Sequence, residues 1–176
     1  AKMYKEHCPI IPDKFKNMYS FTIVRNPYDR IVSMWWSTCK RDQSINSKRK
    51  AGAGSNFVKL AGSNKLEDLL KYMVNNPYNG KGSELFSKQS DYLKQNKINK
   101  ILYNENLTSE FKDLPFLDGT DILPMINRTT SIWGANTVPR NPDAFHYINQ
   151  ESLDLINEYY AEDFELLPHY KKITKL

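Results

Sequence analysis

Cysteine and histidine are scarce. Two cysteines, Cys8 and Cys39, and three histidines, His7, His146 and His169, lie scattered along the chain, without the paired spacing of a zinc site. No metal is expected. The expectation for the cysteines is structural thiols in a reducing, cytoplasmic setting, with a Cys8–Cys39 disulfide as the alternative. Long apolar runs are missing too. No stretch approaches the roughly 20 apolar residues that span a bilayer, and the amino end has no apolar signal region. The sequence therefore reads as soluble, with an anchor further upstream left open. There are no internal repeats. Nor is there a glycine-rich phosphate loop: Gly52-Ala-Gly-Ser55 neither follows an apolar strand nor ends in Gly-Lys-Ser/Thr. It belongs to a polar, basic loop over 41–56, placed either to meet an anionic acceptor or simply to be solvated.

The 176 residues suffice for one domain, 1–176, with a real core, and no boundary divides them. Hydrophobic residues make up 40% and charged residues 26%, which is the balance of a globular protein, not a disordered tail. The net charge of +5 suits an anionic ligand such as a nucleotide, a phosphorylated cofactor or an acidic glycan.

The most informative stretch is Ser20–Ser33. Phe21–Val24 reads as a buried strand. Asn26 is a good N-cap, Pro27 suits the first helical position, and Asp29 stands where the acidic half of a capping box would be. Tyr28, Ile31, Val32, Trp35 and Cys39 then make one apolar stripe of an amphipathic helix. A strand-turn-helix aims the first helical N–H groups at whatever lies beyond the strand, and such a turn favours anions. Arg25, at the strand end, has two readings on chemistry alone. It grips a phosphate with its planar fork, joined by the Ser33 hydroxyl, or it pairs with a carboxylate such as Asp29.

Further along, Pro12 starts a turn carrying Phe15 and Met18. Asn64 and Glu67 suggest a capping box for a helix to about Asn75, with Leu66, Leu69, Leu70, Met73 and Val74 on its apolar face. Lys100–Tyr103 reads as a second strand, followed by a turn into another helix. Gln150–Glu162 reads as a helix capped by Asn149, and His146 and His169 look structural.

Val24-Arg-Asn-Pro-Tyr-Asp-Arg-Ile-Val-Ser33 resembles the 3′-phosphate-binding motif of sulfotransferases that use 3′-phosphoadenosine 5′-phosphosulfate (PAPS). In that family the arginine opening the motif and the serine eight residues later hold the cofactor's 3′-phosphate, which puts these roles on Arg25 and Ser33. Arg30 either supports the phosphate or pairs with Asp29 or Asp91. His7 stands at a distance before the motif where many members have a histidine, a candidate general base; a packing histidine is the alternative. Gln89-Ser-Asp-Tyr-Leu93 is similar to a segment lining the acceptor side, which makes Gln89 a candidate substrate contact or an ordinary loop glutamine. Glu105-Asn-Leu107 matches a strand-end element of the family, with Tyr103 where an arginine is common. Glu105 is then a carboxylate that orders the turn, or a catalytic-side acid. Asn127, Arg128 and Thr129 resemble a loop near the cofactor. Asp163-Phe-Glu165 and its surroundings are similar to the family's closing helix.

The resemblance implies an α/β, three-layer, P-loop-NTPase-like domain with a parallel sheet flanked by helices. It implies transfer of a sulfuryl group from PAPS to a hydroxyl acceptor, with a carbohydrate as the expected acceptor and no metal. The family's loop around the 5′-phosphosulfate, on an N-terminal strand, has no match here. Only 24 residues precede Arg25, so an upstream segment is expected to carry it. Two other readings stay open. One is a nucleotide-binding phosphoryl-transfer enzyme with a similar turn; the other is a non-catalytic basic module for RNA or acidic glycan, whose RNA form is disfavoured by the lack of aromatics beside the basic loop.

Overall fold

The computed structural model describes residues 11–36, 63–76, 87–118 and 143–176. Strand β1 spans Phe21–Val24 and helix α1 Pro27–Trp35. Helices α2, Leu66–Asn75, and α3, Gln89–Gln95, precede strand β2, Lys100–Tyr103. A single turn over Asn104–Asn106 leads into α4, Leu107–Lys112, and the chain closes with α5, Gln150–Tyr159, and α6, Ala161–Leu166. β1 and β2 pair in parallel, with Phe21 opposite Lys100 and Val24 opposite Tyr103. The described residues thus form an α/β fold with a small parallel sheet, whose strands both end at the β1–α1 turn. Among them, no helix is long and apolar enough to cross a membrane.

Burial drives the assembly. The α1 stripe of Tyr28, Ile31, Val32 and Trp35 packs with Leu66, Leu69, Leu70 and Met73 of α2 and with Leu153 and Ile156 of α5. Burying side chains of this size contributes about 1.5–3 kcal/mol each. Tyr28 also fastens α1 to α5 and to the C-terminal segment. Its hydroxyl donates to Asn157 Oδ1 at 2.6 Å and accepts from the Ile173 N–H at 2.8 Å. Tyr28→Phe leaves Ile173 N and Asn157 short of a partner and is expected to cost about 1–3 kcal/mol in chemical denaturation, with unchanged helix content.

Three local readings need correction. β1 is buried at its end, not along its length: Val24 is 2% exposed but Ile23 is 46% exposed. Asn64 does not cap α2: the helix starts at Leu66 with Lys65 in the cap position, and Lys65 makes no side-chain cap bond. The Asn64 carbonyl accepts from Trp35 Nε1 at 2.9 Å, and Glu67 accepts from Asn149 Nδ2 at 2.8 Å. The helix after Asn149 is interrupted at Tyr160, and the turn there carries both Tyr160 and Asp163 into the interior, each fully buried. Asn149 caps α5 as expected, accepting from Ser152 N.

Candidate functional site

The β1–α1 turn is held by side chains from three distant segments. Asn26 caps α1 through Oδ1, which accepts from Tyr28 N at 3.0 Å, and its carbonyl receives Arg30 N at 2.8 Å. Pro27 has no N–H to satisfy at the first helical position. The Asn26 N–H donates to Glu105 Oε1 at 3.2 Å. The Arg25 peptide is gripped at both ends: its N–H donates to Gln89 Oε1 at 2.8 Å, and its carbonyl accepts from Gln89 Nε2 at 2.9 Å. These bonds leave the turn little freedom.

The Arg25 guanidinium folds back over the first turn of α1 and pairs with Asp29 through Nε and Nη2. Of the two sequence readings, the pairing with Asp29 is therefore present in this structure. The pair is not sealed off, since the side chains are 29% and 26% exposed. An ion pair of this kind contributes about 1 kcal/mol or less, which a phosphate dianion can outbid. Nη1 takes no part in the pair, so the fork keeps donors for a second anion. Ser33 lies one helical turn beyond Asp29 on the same side of α1, half-buried, and its hydroxyl makes no hydrogen bond among the described residues. Arg30 points elsewhere. It donates to the Tyr160 hydroxyl at 3.3 Å and lies over that ring, whereas Asp91 accepts from Lys88 N.

Gln89 is 8% exposed and faces inward. Its carboxamide is engaged with Arg25 on one side, and Nε2 also lies 3.3 Å from Asp163 Oδ2. Asp163 is fully buried and accepts the N–H groups of Gln89 and Ser90 at 3.0 and 2.8 Å. The Gln89 side chain, a candidate acceptor contact in the sequence, is bonded to the Arg25 backbone and to Asp163 in this structure.

Glu105 takes the ordering role. Besides the Asn26 N–H it receives the Tyr170 hydroxyl at 2.7 Å, and that hydroxyl lies 3.3 Å from the Val24 carbonyl. Burial, and then the Glu105 carboxylate, push the Tyr170 phenol above its ordinary range; burial raises Tyr28 and Tyr160 likewise. The unfolded phenols ionise near pH 10 while the folded ones keep their protons. Stability is therefore full below about pH 10 and falls as pH rises above it. Thermal denaturation at about pH 9 and about pH 11 is expected to show this loss, with a shallower fall for Tyr170→Phe. On its other side Glu105 borders an open cleft of about 460 Å³. Glu105 and Asp113 outnumber Lys112 along its wall, so an anion is better served on the Arg25 side.

His7, Asn127, Arg128 and Thr129 lie outside the described residues, as do Cys8, Cys39 and the basic loop over 41–56. Of the sequence-predicted residues, the structure brings Arg25 and Gln89 together at the β1–α1 turn, leaves Ser33 about two helical turns further along α1, and directs Arg30 to Tyr160. Asp163 and Tyr170, which hold that turn, carry no local sequence signal for their roles. Among the described residues no group of metal-ligating side chains comes together.

The turn thus joins a parallel strand to a capped helix, with a partly exposed arginine at the strand end and, on the same helix face, a serine hydroxyl that makes no hydrogen bond among the described residues. No curated protein and no solved structure matches the chain. A profile of the sulfotransferase family matches residues 2–171, and with nearly its whole length covered the chain belongs to that family.

Proposed function

We propose that this sulfotransferase takes its sulfuryl group from PAPS and that Arg25 and Ser33 hold the 3′-phosphate of that donor at the β1–α1 turn. The observation that carries the reading is a partly exposed guanidinium at the strand end and, on the same face of α1, a hydroxyl that makes no hydrogen bond among the described residues. The donor set fits a phosphate dianion: a planar fork whose Nη1 takes no part in the Asp29 pair, and a hydroxyl on the same face of α1. Bound there, PAPS supplies the activated sulfuryl group.

The chain's own residues orient the donor, and a base takes the proton from the acceptor hydroxyl. His7 is assigned that role and Asn127, Arg128 and Thr129 are assigned to the nucleotide, within a three-layer, P-loop-like domain. The acceptor we assign is a carbohydrate hydroxyl. Arg30 acts on the phosphate only through the local field, because its guanidinium is engaged with Tyr160. Ser33→Ala, which removes one neutral hydrogen bond, is expected to weaken binding of adenosine 3′,5′-bisphosphate about fivefold in a calorimetric titration.

Transfer of labelled sulfate from PAPS to a panel of glycans by the full native protein tests the function. Label on a glycan is the expected result. Phosphoryl transfer from ATP with no sulfate transfer would instead favour a phosphotransferase. A second reading is favoured by the Arg25–Asp29 pair itself: the arginine is a structural tie between strand end and helix, and makes no ligand contact. On that reading Arg25→Ala lowers stability and leaves nucleotide selectivity alone.

A further inference from the structure

We propose that Gln89, locked by Asp163, is a positioning residue that sets the direction of the Arg25 side chain and so the selectivity for a 3′-phosphate; the inference rests on the donor assignment above. The Gln89 carboxamide exchanges two hydrogen bonds with the Arg25 peptide, N–H to Oε1 at 2.8 Å and Nε2 to carbonyl at 2.9 Å. This is the exchange that a neighbouring strand makes in a sheet, here supplied by a side chain at the point where the strand ends and the backbone turns. Both atoms of the amide are needed. A carboxylate at 89 has no hydrogen for the Arg25 carbonyl, and an apolar side chain satisfies neither group.

The amide is itself fixed. Asp163 Oδ2 accepts from Gln89 N at 3.0 Å and lies 3.3 Å from Nε2, while Oδ1 accepts from Ser90 N at 2.8 Å. Asp163 is fully buried and Gln89 is 8% exposed, so water cannot replace these bonds without opening the core. The chain of contacts runs from α6 through the start of α3 to the Arg25 peptide, across 138 residues of sequence from Arg25 to Asp163. Its end point is the residue whose guanidinium must meet the phosphate. Small errors in direction at such a contact cost large factors in affinity or rate.

The test compares binding of adenosine 3′,5′-bisphosphate and adenosine 5′-monophosphate by titration calorimetry to the native protein and to Gln89→Met, which keeps the volume and removes both hydrogen bonds. The expected result is a fall in the ratio of the two affinities of about tenfold or more, with monophosphate binding little changed. Should Gln89→Met not fold, Gln89→Asn replaces it: one methylene shorter, it keeps an amide but cannot span both Arg25 atoms, and the ratio is expected to fall in the same sense. Ser90→Ala, in the same buried segment but without contact to Arg25, is expected to keep the native ratio; a merely structural role of this segment would move all three variants alike. A native protein that prefers the bisphosphate, with that preference intact in the Gln89 variants, overturns the positioning role alone. A native protein that binds both nucleotides equally overturns the donor assignment and the inference with it.

Discussion

Arg25→Ala is expected to reduce affinity for adenosine 3′,5′-bisphosphate about 100-fold, roughly 2.8 kcal/mol, and to leave adenosine 5′-monophosphate binding almost unchanged. The size follows from the contact proposed. A guanidinium that donates to a dianion makes hydrogen bonds of about 1.5–3 kcal/mol, roughly twice those between neutral groups. The selectivity follows from geometry, since a nucleotide lacking the 3′-phosphate places nothing beside Nη1. The fold is expected to survive. The ion pair with Asp29 is partly exposed, and the backbone of residue 25 remains held by Gln89 whatever its side chain. Parallel titrations and melts check both halves. A large loss of stability with unaltered selectivity would make Arg25 a structural residue.

The second large effect lies in the core. Asp163→Ala removes the acceptor for Gln89 N, Ser90 N and Gln89 Nε2 at a position with no exposure to solvent. Each buried donor left without a partner costs about 1–3 kcal/mol, so a total of about 3–5 kcal/mol is expected in urea denaturation. That is a large fraction of the stability of an ordinary domain. A loss below about 1 kcal/mol would mean that α3 finds another cap and that Asp163 is dispensable.

Much of the local structure was legible because its causes are local. Asn26 and Pro27 announce the start of α1, the spacing of Tyr28, Ile31, Val32 and Trp35 announces its buried face, and the stretch Lys100–Tyr103 predicts β2 with its observed bounds. Asn149 likewise caps the helix it was expected to cap. What stayed hidden depends on partners far away in sequence. Asn64 and Glu67 have the residue types of a capping box, yet α2 starts one residue later with Lys65 in the cap position, and Asn149 binds Glu67. Nothing near Asp163 indicates that it caps α3, and nothing near Tyr170 indicates that it reaches Glu105. For Arg25 the sequence held two outcomes. A carboxylate four residues away and a phosphate from solution both satisfy the same fork, and the structure records the one available within the chain.

Equilibrium titration of the native protein with adenosine 3′,5′-bisphosphate and with adenosine 5′-monophosphate tests the central claim most directly. A phosphate gripped by Arg25 and Ser33 predicts that the bisphosphate binds tighter by about 100-fold or more. Equal affinities for the two nucleotides would contradict it.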